Sequence, residues 1–200
     1  MSRSMRQILL MLLAIALTAP AMAQTTALTV PRNLSQLTDR SADIVRGTVI
    51  SPRVEKHPEL TGLNTVVVQM RIMETLKGQS RGTFTFRQYI WDIRAIAGAA
   101  GYRKGQDLLL MMIAPNEHGL SSPAGLEQGR FLIQRDRSGR ELVVNGYGNA
   151  RLFDGISQQL AQKRITLSPR SVNLVAQPRP GPIELADLTG LIRELVRGSE

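Results

Sequence analysis

Residues 65–76 read TVVVQMRIMETL, and this stretch decides the fold class of the chain. Its apolar side chains Val66, Val68 and Met70 occupy every second position, whereas Arg71 and other polar residues interrupt the positions between them. Because successive side chains of a strand point to opposite faces of a sheet, one face of this stretch is apolar and the other is mixed. The pattern predicts a half-buried β-strand.

Two neighbouring stretches predict further strands of the same kind. Residues 43–54 are rich in β-branched side chains, and residues 82–90 alternate threonine with aromatic side chains, a composition that suits a pleated sheet. Gly47 lies inside the first of these strands, and a glycine in a strand interior is typical of a bulge or a sharp bend. Together with residues 65–76, they form the clearest unit in the sequence.

The second half of the chain adds three more predicted strands. Residues 107–114 contain the continuous apolar run LLLMMI, whose length favours a fully buried central strand over a helix. Residues 130–135 and 140–145 are alternating runs on either side of a glycine-containing turn, which is typical of a β-hairpin.

The order of these elements predicts a fold class. Asn33 is a good helix N-cap, and the leucine spacing after it predicts a short N-terminal helix. The strands then follow one another without alternating helices, which favours an antiparallel arrangement over a doubly wound parallel sheet. We therefore expect a mainly β protein in which residues 33–153 form a small antiparallel OB-like barrel.

The N-terminal residues predict export from the cytoplasm. A basic stretch begins at Arg3, an apolar run covers residues 8–17, and Ala23 ends a small-residue cleavage motif. We interpret residues 1–23 as a signal peptide cleaved after Ala23, and residues 24–32 as an N-terminal extension. The apolar run is shorter than the roughly 20 residues that cross a bilayer, so we expect a periplasmic or secreted protein with no transmembrane anchor after cleavage.

The C-terminal part is expected to contain a linker and one helix. Residues 154–182 are polar, have few large apolar side chains and end in a proline-rich segment, which is typical of an extended linker. Residues 183–197 place Leu188, Leu191 and Leu195 at helical spacing and predict an amphipathic helix. Such a helix needs an apolar surface, either on its own domain or on a partner chain.

Composition narrows the choice of partners. The chain has no cysteine, which excludes disulfides and thiolate metal sites. Its net charge is +9, and removal of Arg3 and Arg6 with the signal peptide leaves 23 basic against 16 acidic residues, or +7. Outside the cytoplasm, such a charge suits an anionic envelope polymer or an acidic protein, or simply maintains solubility. We expect no nucleic acid as a partner, because the protein is exported, and no cofactor.

Several segments of the chain resemble known proteins. The succession of ADIVRGTV at residues 42–49, TLKG at residues 75–78, LLL at residues 108–110 and EQGRF at residues 127–131 resembles a family of uncharacterised bacterial secreted proteins. It is also similar to the netrin-like modules of tissue inhibitors of metalloproteinases. The resemblance covers roughly residues 34–131 and implies an OB-like barrel.

The inhibitory mechanism of those modules has no counterpart residue in this chain. In the metalloproteinase inhibitors the mature N-terminus is a cysteine that chelates the zinc ion of the target, and disulfides hold the barrel together. The mature chain here is expected to begin at Gln24, and it contains no cysteine. The resemblance therefore implies a fold and no catalytic residue.

The loop after residue 88 contains the candidate binding residues. Aromatic rings beside arginines suit a groove for a chain-like ligand, because the rings stack on bases or sugars while the cations follow an anionic backbone. Trp91 is the only tryptophan, and it either contributes to such a face or plugs one mouth of the barrel. The candidate ligand-binding residues are Tyr89, Trp91, Arg94, Tyr102, Arg103 and Lys104.

The sequence contains no complete catalytic motif. It lacks a zinc-binding HExxH and a nucleophile-elbow GxSxG. A metal site would require its two histidines, His57 and His118, to converge with a carboxylate, and we expect none. A phosphate-binding P-loop is also absent, since Lys104 is followed by Gly105 rather than by serine or threonine.

Three functional hypotheses remain. The leading one is an exported, non-enzymatic binding module that engages a protein or an anionic envelope polymer. The second is a hydrolase that uses Asp92 or Glu127 as acid or base, which requires paired carboxylates in one pocket. The third is a structural or assembly factor of the cell envelope.

Overall fold

A computed structural model describes residues 30–177 and 179–199 of the 200-residue chain. The signal peptide and the cleavage site predicted at Ala23 lie outside these ranges. Within them, every helix is too short or too polar to span a lipid bilayer.

The described residues form a mixed α/β structure, which corrects the expectation of a mainly β protein. A single seven-stranded sheet packs against four α-helices. In chain order the strands are β1 (Asp43–Lys56), β2 (Asn64–Lys77), β3 (Thr83–Tyr89), β4 (Asp107–Met112), β5 (Arg130–Arg135), β6 (Glu141–Asn145) and β7 (Ile183–Glu184). The helices are α1 (Leu34–Arg40), α2 (Ile156–Lys163), α3 (Pro169–Ala176) and α4 (Leu185–Arg197).

The sheet is open and does not close into a barrel. Its strand order is β3-β2-β1-β4-β5-β6-β7, and every neighbouring pair is antiparallel. β3 and β7 form the two edges. The prediction of an antiparallel sheet is therefore confirmed, whereas the prediction of OB-like closure is wrong. The physical reason is that β5 pairs with both β4 and β6 and so has no free edge for β3, while the edge strands β3 and β7 do not pair with each other.

β4 is buried on both faces, as its continuous apolar run predicts. Leu109 and Met111 join a core that the helices cover, whereas Leu108, Leu110 and Met112 join a second core on the opposite face. None of the five is more than 1% exposed. The second core is covered by the segment that follows β3 instead of by α-helices.

β1 is irregular at Gly47, which confirms the predicted bulge. The register of β1 against β2 shifts between Arg46 and Gly47. A Cβ atom at position 47 would lie 2.3 Å from the backbone oxygen of Arg71 on β2. Only glycine allows the two backbones to approach this closely.

Residues 154–182 differ from the predicted extended linker, because α2 and α3 lie within them. Leu160 of α2 and Val175 of α3 are buried in the helix-covered core. Ser168 caps α3 by accepting a hydrogen bond from the backbone N–H of Ser171, and Pro169 follows at the start of the helix. This segment is therefore part of the packed structure.

α4 confirms the predicted amphipathic helix, and it packs on its own sheet. Leu188, Leu191 and Ile192 are completely buried in the helix-covered core. Arg193 on its outer side forms an ion pair with Glu74 of β2. The apolar face of this helix therefore needs no partner chain to cover it.

Candidate functional site

The candidate site surrounds the segment of residues 90–106, which lies in the gap between β3 and β5. Tyr102 plugs this gap and is 1% exposed. Its ring centroid lies 5.5 Å from that of Phe86 on β3 and 4.8 Å from the guanidinium carbon of Arg130 on β5. Its hydroxyl donates a 2.8 Å hydrogen bond to the amide oxygen of Gln88. This position makes Tyr102 a support beneath the loop.

Tyr89 and Trp91 form an aromatic wall beside the edge strand. Their rings meet edge to face with centroids 4.7 Å apart, an arrangement that stabilises aromatic pairs. Trp91 is 75% exposed and Ile93 is 77% exposed. The interpretation of Trp91 as a plug is therefore wrong, because the indole faces solvent and Tyr102 fills the interior.

Asp92 and Arg94 fix the turn that follows Trp91. Nη2 of Arg94 lies 2.7 Å from Oδ2 of Asp92. The backbone N–H of Arg94 donates to Oδ1 of Asp92 at 2.9 Å, which caps the 3-10 turn Ile93–Ala95. Hydrogen bonds from the Arg94 side chain hold the pKa of the Asp92 carboxyl below its usual value. Arg94 thus stabilises the turn beside the aromatic wall.

Arg130 supports the same segment from β5. Its Nε and Nη2 atoms lie 3.1 Å and 2.8 Å from Oε2 of Glu127, and its Nη1 donates a 2.8 Å hydrogen bond to the carbonyl of Ala100. Ala99 and Ala100 have φ angles of 47° and 53°. This left-handed conformation costs a non-glycine residue about 1–2 kcal/mol. The bond from Arg130 helps to offset that cost and fixes the position of the segment.

Two open clefts adjoin this support. The cleft of about 210 Å³, which we call the aromatic cleft, is lined mainly by Gln88, Tyr89, Trp91, Asp92, Glu127 and Tyr147. The cleft of about 260 Å³, which we call the basic cleft, is lined mainly by Gly101, Arg103, Gln106, Glu127, Arg130 and Asn145. Glu127 belongs to both, so the clefts are direct neighbours.

The structure brings three of the six predicted ligand-binding residues to these clefts. Tyr89 and Trp91 line the aromatic cleft, and Arg103 lines the basic cleft. Lys104 is exposed in the turn before β4 and lines neither cleft. Arg94 is engaged by Asp92, as described above.

Several lining residues were not predicted from the sequence, and three of them have side chains suited to ligand contact or to support of the site. Gln88 belongs to β3, Arg130 to β5, and Tyr147 to the turn after β6. The only local signal was at Tyr147, which stands between two glycines, a context typical of an exposed turn. The other two are ordinary strand residues that only the tertiary fold brings to the site.

Asp92 and Glu127 line the same cleft, as the hydrolase hypothesis requires. Each carboxylate is paired with an arginine, Arg94 or Arg130. General acid–base catalysis needs one carboxyl that retains its proton near neutral pH, whereas the pKa of Asp92 is lowered by its arginine. The arrangement favours two hydrogen-bond acceptors over an acid and a base.

His57 and His118 lie close together, with ring centroids 6.3 Å apart. Nδ1 of the buried His57 accepts hydrogen bonds from the backbone N–H groups of Glu59 and Leu60. Its Nε2 lies 2.9 Å from the carbonyl oxygen of His118. Both ring nitrogens of His57 therefore bind backbone groups. In the part of the chain that the structure describes, no three histidine or carboxylate side chains form a group that could hold a metal ion.

The buried phenol of Tyr102 predicts a loss of stability at high pH. Burial raises the pKa of Tyr102 well above its usual value of about 10. Below about pH 10, the usual pKa of a tyrosine, the phenol is neutral in the folded and unfolded chains alike. Above it the unfolded chain loses the proton while the folded chain retains it, so the free energy of unfolding decreases as the pH rises. Urea unfolding should show this decrease above about pH 10.

Two variants identify the group responsible. Tyr102→Phe should lack this part of the decrease, whereas Tyr147→Phe should retain it because Tyr147 is 36% exposed. At neutral pH, Tyr102→Phe should be less stable by about 1 kcal/mol, since the amide oxygen of Gln88 loses its donor. The same pH dependence in Tyr102→Phe and the natural protein would contradict the buried position of the phenol.

Comparisons with protein-family models, curated protein sequences and solved structures found no match to this chain. The resemblance to netrin-like modules stays a prediction, and the open sheet differs from the closed barrel that it implies.

Proposed function

We propose that the protein is an exported, non-enzymatic binding module that engages an anionic polymer or a protein of the cell envelope through the aromatic and basic clefts. The exposed indole of Trp91 is the observation that carries this proposal. An exposed tryptophan whose ring packs against a neighbouring ring suits a binding hot spot, since its burial against a ligand gains apolar contact at a small cost in conformational entropy.

Several contacts hold the binding face in place. Tyr89 packs against Trp91, and Asp92 caps the turn that follows. Arg130 binds the carbonyl of Ala100 on the far side of the segment. A surface fixed in this way loses little freedom when a ligand binds, which strengthens binding for a given contact area.

Charge supports an anionic partner. The mature chain is expected to have 23 basic against 16 acidic residues, and Arg103 adds an exposed cation to the basic cleft. Long-range attraction of this kind speeds the association of oppositely charged partners. The pattern of residues 1–23 supports export, and thus an envelope partner.

Replacing Trp91 with alanine is expected to weaken binding of the envelope ligand by at least tenfold, because truncation of an aromatic hot spot costs about 2 kcal/mol or more. The measurement is affinity capture from an envelope extract with the immobilised mature protein, followed by titration of the captured component. Trp91→Phe should retain most of the affinity, since a flat apolar ring remains.

Val172→Ala is the matched control for this experiment. Val172 is an apolar residue on α3 that is 48% exposed and lines neither cleft. A captured component that binds natural protein and Trp91→Ala equally well would contradict the proposed site. Cleavage of that component, abolished by Glu127→Gln, would identify the hydrolase instead.

A further inference from the structure

Building on the proposed function, we infer that the ligand is an acidic glycan, with one sugar ring against Trp91 in the aromatic cleft and a carboxylate of the same chain paired with Arg103 in the basic cleft. Three properties of the clefts lead to this class of ligand. They are a wall of aromatic side chains, carboxylates that only accept hydrogen bonds, and an arginine that forms no ion pair with a carboxylate of the described residues.

The aromatic cleft has the apolar surfaces that a sugar ring needs. Tyr89, Trp91 and Tyr147 all line it. The two faces of a pyranose ring carry C–H groups, which pack against the face of an aromatic side chain. An aromatic ring buries a large area in such a contact while its polar edge stays in water.

The polar groups of this cleft require hydrogen-bond donors. The carboxylates of Asp92 and Glu127 are each paired with an arginine, and an ionised carboxylate only accepts hydrogen bonds. Sugar hydroxyls supply such donors. A polyphosphate has no comparable donors, so it leaves these acceptors without hydrogen bonds.

Gln88 adds a donor for a sugar oxygen. Its amide oxygen accepts the hydrogen bond from the hydroxyl of Tyr102, so the amide NH₂ group is what it presents to a ligand. The aromatic cleft thus combines acceptors and a donor around an apolar wall, as recognition of a polyhydroxylated ring requires.

The basic cleft supplies the cation for an acidic substituent. Arg130 is engaged by Glu127 and by the carbonyl of Ala100. Arg103 is exposed, and across residues 30–177 and 179–199 no carboxylate forms an ion pair with it. A guanidinium group binds a carboxylate through two parallel hydrogen bonds, so Arg103 suits the carboxylate of an acidic sugar.

The arrangement of the clefts favours a chain over a single sugar. Ala100 lines the aromatic cleft, Gly101 lines the basic cleft, and Glu127 borders both. At about 210 and 260 Å³, each is smaller than the roughly 300–1,000 Å³ of a typical ligand pocket. A ligand that occupies both extends from one cleft to the other past Glu127, as successive units of an oligosaccharide would.

Fluorescence of Trp91 tests the inference, because it is the only tryptophan. Three probes distinguish recognition of the sugar rings from attraction to negative charge. They are hexagalacturonate, its fully methyl-esterified form, and polyphosphate. We expect hexagalacturonate to shift the emission to shorter wavelength and to protect the indole from acrylamide quenching. The methyl ester should bind at least tenfold more weakly, and polyphosphate should produce no shift.

Variants of the mature protein assign the two contacts. Arg103→Ala should weaken hexagalacturonate binding about tenfold and leave binding of the methyl ester unchanged. Tyr147→Ala should weaken binding of both sugar probes by a similar factor. Arg137→Ala is the control, because this exposed arginine lies in the turn between β5 and β6, outside both clefts. It should bind like the natural protein.

An unchanged Trp91 emission with hexagalacturonate would overturn the inference, and so would equal binding of the methyl ester or of polyphosphate. These results are distinct from failure of the proposed function. Trp91-dependent capture of an envelope protein, with no response to hexagalacturonate, would keep the binding module and reject the glycan. Capture that does not depend on Trp91, together with an unchanged Trp91 emission in the presence of hexagalacturonate, would reject both.

Discussion

A chain that ends after Pro182 is expected not to fold, because the deletion removes β7 and α4. Leu188, Leu191, Ile192 and Leu195 of α4 are at most 1% exposed. Full burial of each such side chain contributes about 1.5–3 kcal/mol. Their combined contribution is comparable with the roughly 5–15 kcal/mol by which a typical domain is stable, so the shortened chain should lack a cooperative unfolding transition.

Far-UV circular dichroism and urea unfolding of the natural and shortened chains test this expectation. Leu191→Ala is the graded variant and should lower the free energy of unfolding by about 2–5 kcal/mol. Arg197→Ala, at an exposed position of the same helix, should change it by about 0.5 kcal/mol or less. An unchanged urea midpoint after deletion would favour the assembly-factor hypothesis, in which the helix serves another chain.

Gly47→Ala is expected to lower the free energy of unfolding by about 3 kcal/mol. The added methyl group would lie 2.3 Å from the backbone oxygen of Arg71, which cannot rotate away as a side chain would. At this position β1 pairs with Ile72 of β2 on one side and with Leu108 of β4 on the other. Movement in either direction therefore disturbs hydrogen bonds between strands.

Gly62→Ala is the matched control. This glycine lies in the connection between β1 and β2, and an added Cβ atom would meet no atom within 4 Å. Its substitution should change the free energy of unfolding by about 0.5 kcal/mol or less. If urea unfolding gave the two variants equal stability, the close approach of β1 and β2 at position 47 would be contradicted.

The strands were predictable because alternation and β-branched content report which side of a strand is buried. The run in β4 is the clearest case, since a strand buried on both faces has no polar side. Closure of the sheet would require its two edge strands to pair, and no local sequence pattern indicates whether they do. The aromatic ring of Tyr102 lies between Phe86 of β3 and Arg130 of β5.

α2 and α3 were missed because their segment is polar on average. Each helix contributes only a few apolar side chains to the core, such as Leu160 and Val175, and the sheet and α4 supply the rest of the surface. Ser168 followed by Pro169 is nevertheless a recognisable helix start. Capping residues were therefore more informative here than composition.

The location of the candidate site was predictable, but the positions of its aromatic residues were not. Trp91 and Tyr102 are both aromatic residues of one loop, and their order in the chain does not show which side chain points inward. Contacts from other strands decide this: Gln88 and Arg130 hold Tyr102 in the interior. The residues that make these contacts are separated in the chain, so no local sequence pattern indicates them.

The place of α4 after every strand determines when the structure can be completed during synthesis. β1, β2 and β3 are consecutive and can pair soon after they leave the ribosome. The face formed by Leu109 and Phe131 stays uncovered until residues up to 197 have been translated. A nascent chain of this protein thus stays incompletely folded until late, which prolongs the exposure of its apolar surface and its dependence on chaperones.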